Sequence, residues 1–235
     1  MPEGTIGGHA PDEIAAINAI LHTSSEEQVL ELLRSTPASS VLKEWTRISS
    51  WLRTNLSHPA LVGATGEQIA LAEQATGVWT SELRVFYRLI NGFPRENWIS
   101  LFPRHELLSL DRVVADHHRR VEGSKTAYYG PPVSPDKFAK EPAGSPSEAF
   151  LSEFIPIGNA DGDHLFVDTR PGPLHGCVNE WPREDWAWEP PLWLSLSSML
   201  ADLATSLERT SALTVRRTRW LPCIVEKRLV WNPAV

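Results

Sequence analysis

Through most of the first ninety residues apolar side chains recur every three or four positions, the spacing that predicts amphipathic helices. Ile14, Ile17, Ile20 and Leu21 follow Pro11-Asp12-Glu13, and Val29, Leu30, Leu32 and Leu33 follow Ser24 and Glu27, a capping-box pair. Ser35-Thr36-Pro37 breaks that run. A third helix is predicted over about 41–56, with Leu42, Trp45, Ile48 and Leu52 on one face and Trp51 beside it. Thr65 and Gln68 form a second capping box, so a helix begins there, with Ile69, Ala72 and Ala75 facing inward and Gly77 closing it. Thr80 caps the next helix, whose stripe is Leu83, Phe86, Tyr87 and Ile90, and Asn91-Gly92 ends it.

The period then shortens. Trp98 to Phe102 reads as a strand closed by Pro103, and Asp111 to Val121 as a short polar helix. Residues 122–149 are punctuated by Gly123, Gly130, Pro131-Pro132, Pro135, Pro142, Gly144 and Pro146, which predicts a long mobile insertion. Phe154 to Ile157 and His164 to Thr169 are strand-like, and Pro171-Gly172-Pro173 turns the chain so that Cys177 to Trp181 returns antiparallel. Ser195 caps an amphipathic helix carrying Leu196, Met199, Leu200, Leu203 and Leu207. Leu221 to Val225 and Arg228 to Trp231 form a hairpin around Glu226-Lys227. Helices, then strands, then a helix predict an α+β fold, with N-terminal helices and a C-terminal helix packed on a mostly antiparallel sheet. Three parts are expected: a loosely tied helical extension over 1–40, a domain over 41–210, and a basic strand or hairpin extension over 211–235.

Composition narrows the function classes. A chain of 235 residues that is 42% hydrophobic, with ten tryptophans, buries a sizeable core and is not disordered. The net charge of −7 weighs against nucleic-acid binding, which needs a basic surface, and suits a basic protein partner. The cluster Arg216, Arg217 and Arg219 is read as a solvated face. No stretch has the length and apolarity of a membrane span, and Met1-Pro2-Glu3-Gly4-Thr5 does not read as a secretory signal, so the cytoplasm is expected. Cys177 and Cys223 lack metal-site spacing and are expected as buried small hydrophobes.

Asn159-Ala160-Asp161-Gly162-Asp163-His164, with Asp168 further on, invites a metal reading because hard cations take oxygen donors at alternate positions. Asp161, Asp163, His164 and Asp168 would then serve a metal-dependent hydrolase. The calcium-loop pattern fails, because with Asn159 first the glycine position is His164 and the terminal glutamate position is Arg170. Asp-Gly-Asp is more simply turn chemistry, with Gly162 at positive φ and the aspartates bonding local backbone. His117, His118 and His175 are expected to be solvated, and no nucleophile elbow, phosphate loop or dinucleotide fingerprint is present. Between Glu180 and Trp193 the tryptophans Trp181, Trp186, Trp188 and Trp193 either fill a seam between sheet and last helix or form an exposed aromatic and acidic surface. No catalytic set assembles and no cofactor is implied; the chain reads as a protein-binding domain rather than an enzyme.

From Trp45 to Glu208 these pieces resemble, in order, the SUKH superfamily, which includes Smi/Knr-type cell-wall regulators and bacterial toxin-immunity proteins. The resemblance is carried by Gly63-Ala64-Thr65 with Gln68, Ile69, Glu73 and Gly77, and by Leu83, Phe86, Tyr87 and Asn91-Gly92. It continues through Ile157-Gly158 to Gly162-Asp163, Leu165, Val167 and Asp168, then Gly172, Gly176 and Val178, then Leu194-Ser195-Leu196 with Leu200. Where the family usually has leucine-proline before its "FY" helix, this chain has Val78-Trp79-Thr80. The resemblance implies helices on a mostly antiparallel sheet, aspartates that shape the chain, and an immunity-type protein that neutralises a cognate intracellular toxin, for instance a basic nuclease. A regulatory scaffold with several partners is the alternative it leaves open. Candidate partner-binding residues are Asp161, Asp163, Glu180, Glu184 and Asp185, with Trp186 as an aromatic anchor.

Overall fold

A computed structural model describes residues 41–56, 61–93, 99–124, 134–183, 187, 190–216 and 218–234. The predicted N-terminal helices before residue 41, Trp98, the middle of the predicted insertion, Glu184, Asp185, Trp186, Trp188 and Arg217 lie outside the described residues.

The described chain runs α1 (Val41–Asn55), α2 (Gly66–Thr76), α3 (Ser81–Leu89), β1 (Glu106–Leu107), α4 (Leu110–Ser124), α5 (Pro135–Ala139), β2 (Phe154–Ala160), β3 (Asp163–Asp168), β4 (Val178–Trp181), α6 (Leu196–Arg209), β5 (Leu213–Val215), β6 (Thr218–Val225) and β7 (Arg228–Pro233). It is an α+β fold with two antiparallel sheets, ordered β1-β2-β3-β4 and β5-β6-β7. Among the described residues no helix is long and apolar enough to cross a membrane.

The helix starts follow local chemistry. Thr65 accepts from the Gln68 backbone N–H while the Gln68 side chain accepts from the Thr65 N–H, so both orphan donors are satisfied. Thr80 caps α3, and Ser195 caps α6 in a second reciprocal box with Ser198. Leu83, Phe86, Tyr87 and Ile90 are fully buried, as their spacing predicts. On α2 the inward residues are Ile69, Ala72 and Thr76; Ala75 faces out. Thr76 accepts from the indole of buried Trp79 at 2.8 Å, so the unusual tryptophan ahead of α3 becomes part of the core.

Alternation along the strands of the first sheet divides it into two faces. Ile155, Ile157, Leu165, Val167 and Val178 point into the main core, shared with α1, α2, α3 and α6. Phe154, Phe166 and Trp181 point the other way, into a second cluster with Phe138, Ala149, Phe150 and Leu151. The predicted mobile insertion is therefore corrected over 134–149: it carries α5, pairs Ser147 with Ala187, and covers the far face of the sheet. Its glycines and prolines shape a packed layer. Phe150 meets Phe154, Phe166 and Trp181 edge-on, with centroids 5.5–6.1 Å apart.

Two further expectations change. Ile99, Leu101 and Phe102 are buried but form no strand; Arg104, at φ 68°, turns the chain, and the strand begins two residues later at Glu106. The C-terminal hairpin forms around Glu226 and Lys227, both left-handed, but it is no separate extension. Leu213, Val215, Leu229 and Trp231 belong to the main core, and the Trp231 indole donates to the Ser100 carbonyl at 2.9 Å.

Candidate functional site

The sheet's own alternation positions the side chains that looked chemical. On β3, His164, Phe166 and Asp168 share the face turned to the second layer. The aromatic ring packs into the apolar cluster, and the polar side chains to either side each find a partner there.

At one end, β2 and β3 join through a two-residue turn, Asp161 at φ 52° and Gly162 at φ 101°, between the paired residues Ala160 and Asp163. Left-handed backbone at both positions matches the twist of a tight hairpin. Arginines converge on this tip. Arg120 donates to the Gly162 carbonyl, Arg104 reaches Asp163 Oδ2 at 3.3 Å, and the Arg183 backbone N–H donates to Asp163 Oδ1 at 2.8 Å. The Arg183 guanidinium also lies 3.7 Å from Asp161 Oδ1. The aspartates thus bond to residues distant in sequence rather than to local backbone. Asp163 is engaged from two sides, whereas the Asp161 side chain is 99% exposed.

Just below the turn, His164 is fully buried. Its Nδ1 lies 2.9 Å from the Gly162 carbonyl and its Nε2 lies 3.0 Å from Asp116 Oδ2 on α4. Asn159 donates to the same Asp116 oxygen at 3.2 Å, and Arg119 pairs with the other at 2.7 Å. Burial raises the Asp116 pKa, but the His164 contact, the Arg119 charge and Asn159 outweigh it and hold the carboxyl below its ordinary value. Nothing in the sequence flagged Asp116, because its partner lies 48 residues away.

At the other end, Asp168 meets fully buried Arg170. The guanidinium donates to Asp168 Oδ2 at 2.7 Å, to the Phe138 carbonyl at 2.9 Å and to the Ser145 carbonyl at 2.7 Å, and it stacks over the Phe154 ring at 5.0 Å. Asp168 also accepts the backbone N–H groups of Gly144 and Arg170, at 2.8 and 3.0 Å. This buried pair clamps the second layer to the sheet.

Asp161, Asp163, His164 and Asp168 therefore do not converge as a hydrolase would need. Asp163 and Asp168 stand five residues apart on one strand, about 16 Å at some 3.3 Å per residue. Among the described residues no group of three or more His, Cys, Asp or Glu is placed to hold a metal ion.

Of the expected partner-facing carboxylates, Glu180 is corrected: it is 5% exposed. His105 Nε2 lies 2.9 Å from its Oε1, and Arg216, from the turn after β5, pairs with its Oε2. Burial raises the Glu180 pKa, and His105, Arg216 and Arg104 together pull it below the ordinary value. It reads as an exposed acid only while the chain after residue 211 is treated as separate. Trp181 and Trp193 are buried, and the Trp193 indole donates to Asp202 on α6 at 3.1 Å, so these two fill the seam. His117 is buried rather than solvated, its Nε2 2.9 Å from the Ser152 carbonyl, and exposed His118 contacts the Ala75 carbonyl at 2.8 Å. His175 is exposed, with Nδ1 3.0 Å from the Arg170 carbonyl. Cys177 is fully buried, which pushes its thiol up to about 12, while Cys223 is half-buried.

Against models of known protein families the chain matches none, and no curated protein matches it.

Proposed function

We propose that the chain is a non-catalytic, cytoplasmic protein-binding domain of SUKH type, most specifically an immunity-type protein that binds and neutralises a cognate intracellular toxin. One observation carries this reading. Two of the side chains that suggested chemistry are engaged in contacts that hold the fold together: Asp168 with Arg170 and His164 with Asp116. Support also comes from the order of the parts, since the Trp45 helix, the Thr65-capped helix, the Phe86-Tyr87 helix, the β2–β3 hairpin, the return strand and the closing helix follow one another as the resemblance requires.

A toxin acting on nucleic acid presents a basic surface, and a chain of net charge −7 approaches it in a favourable field. Asp161, at the exposed apex of the hairpin, is the residue expected to meet it. The test is co-expression with the product of the adjacent gene. A stoichiometric complex that protects the cell, forms more slowly as salt rises, and is weakened several-fold by Asp161→Lys supports the reading. Recovery of both proteins separately at low salt, with no protection of the cell, sinks it.

A further inference from the structure

The terminal sheet has one face in the core and one in solvent. Trp220, Pro222, Leu229 and Trp231 point inward, and Ile224 lies on the same face near the hairpin end, where it is 42% exposed. On the outer face Leu221, Cys223 and Val225 alternate along β6, and Val230 pairs with Cys223 across the ladder. Leu221 is 36%, Val225 49% and Val230 37% exposed, an apolar ladder that none of the described residues covers. Arg219 lies on the same face before Leu221, and Arg228 is paired with Val225. Two such faces brought together would oppose arginine to arginine, so a second copy is a poor occupant.

The forty residues before Val41 have the complementary character. They hold six carboxylates, at Glu3, Asp12, Glu13, Glu26, Glu27 and Glu31, against one arginine, Arg34, and no lysine. Val29, Leu30, Leu32 and Leu33 alternate with the last three of those acids at helical spacing. The position of α1 fixes where this segment joins the fold. Arg47, in the second turn of α1, pairs with Glu208 in the last turn of α6 at 2.6 Å and donates to Thr205 at 3.3 Å. The second turn of α1 therefore lies beside the end of α6, and β5 follows four residues after Arg209. Val41 lies about 9 Å along α1 from Arg47, and a forty-residue segment ahead of it is long enough to span the terminal sheet even at about 1.5 Å each.

We propose that the acidic, apolar segment 1–40 docks in cis on the outer face of the β5-β6-β7 sheet, its carboxylates against Arg219 and Arg228 and its leucines over Leu221, Val225 and Val230. Covalent tethering keeps the local concentration of such a segment near the millimolar range, so a weak contact suffices. The inference does not depend on the toxin-binding reading.

Cys223 sits in the middle of the face and is its own reporter; Cys177 is fully buried and stays silent while the fold is intact. The experiment measures the rate at which a maleimide modifies Cys223 in the full chain. Replacing Glu26, Glu27 and Glu31 by Lys is expected to accelerate modification about tenfold, as is raising the salt concentration. Adding Arg219→Glu and Arg228→Glu to that variant is expected to restore slow modification, a rescue that a damaged fold would not give. Equal rates in all these chains overturn the proposal. So does protection that rises with protein concentration, which would make a second copy the occupant, or protection that appears only with an added partner protein.

Discussion

Arg170 is a fully buried cation whose charge is met by Asp168 and whose remaining N–H groups donate to two carbonyls. Such a pair adds little net stability over an apolar equivalent, yet removing one member leaves a buried charge uncompensated. Asp168→Ala is therefore expected to cost about 3–5 kcal/mol in urea unfolding; a loss within experimental error would show the clamp to be dispensable. Asp116 and Glu180 make a second prediction. Both have folded pKa values below the ordinary carboxylate value, so each contributes stability that is present above that value and is lost as pH falls through the folded one. Stability should fall as pH drops below about 4. Glu180→Gln should flatten part of that decline in a series of urea midpoints, and an unchanged acid limb would refute the assignment.

At the scale of elements, the chain between α1 and α2 is held by close backbone approach. A Cβ on Gly63 would overlap the Arg88 carbonyl, beside the point where the Ala64 N–H donates to the Tyr87 carbonyl at 2.7 Å. Gly63→Ala must push the segment off α3, at about 1–3 kcal/mol. Thr65→Ala, which removes one cap bond, is expected to cost about 1 kcal/mol. Chemical denaturation of the two variants checks both the order and the sizes. The helices were the legible part of this chain because their signals are local: a cap, a stripe and a stop lie within a dozen residues. Trp98 to Phe102 misled for the same reason. Burial of Ile99, Leu101 and Phe102 explains their apolarity, but a strand also needs a neighbour to bond, and the edge of the sheet is taken by Glu106 and Leu107.

For the molecule as a whole, both faces of the first sheet are covered and the terminal sheet closes the main core. Trp231→Ala should therefore lower the stability of the whole protein by about 3–5 kcal/mol, in a single cooperative transition seen by fluorescence and circular dichroism alike. An early, separate transition for the C-terminal residues would mean that the sheet is an appendage after all. The candidate site belongs to this scale too. Each bond that redefines it joins distant parts of the chain: Asp116 to His164, Gly144 to Asp168, His105 and Arg216 to Glu180.

By itself the sequence determined the α+β class, the ends of α2 and α3, the start of α6, the Asp161-Gly162 turn and the terminal hairpin, since caps, stripes and left-handed turn residues act over a few positions. Only the tertiary structure decided that residues 134–149 form a second layer, that Glu180 is interior, and that among the described candidate acids Asp161 keeps its side chain exposed, beside Arg183. Those outcomes rest on which distant arginine or histidine reaches which carboxylate, and contacts of that range leave no periodicity along the chain.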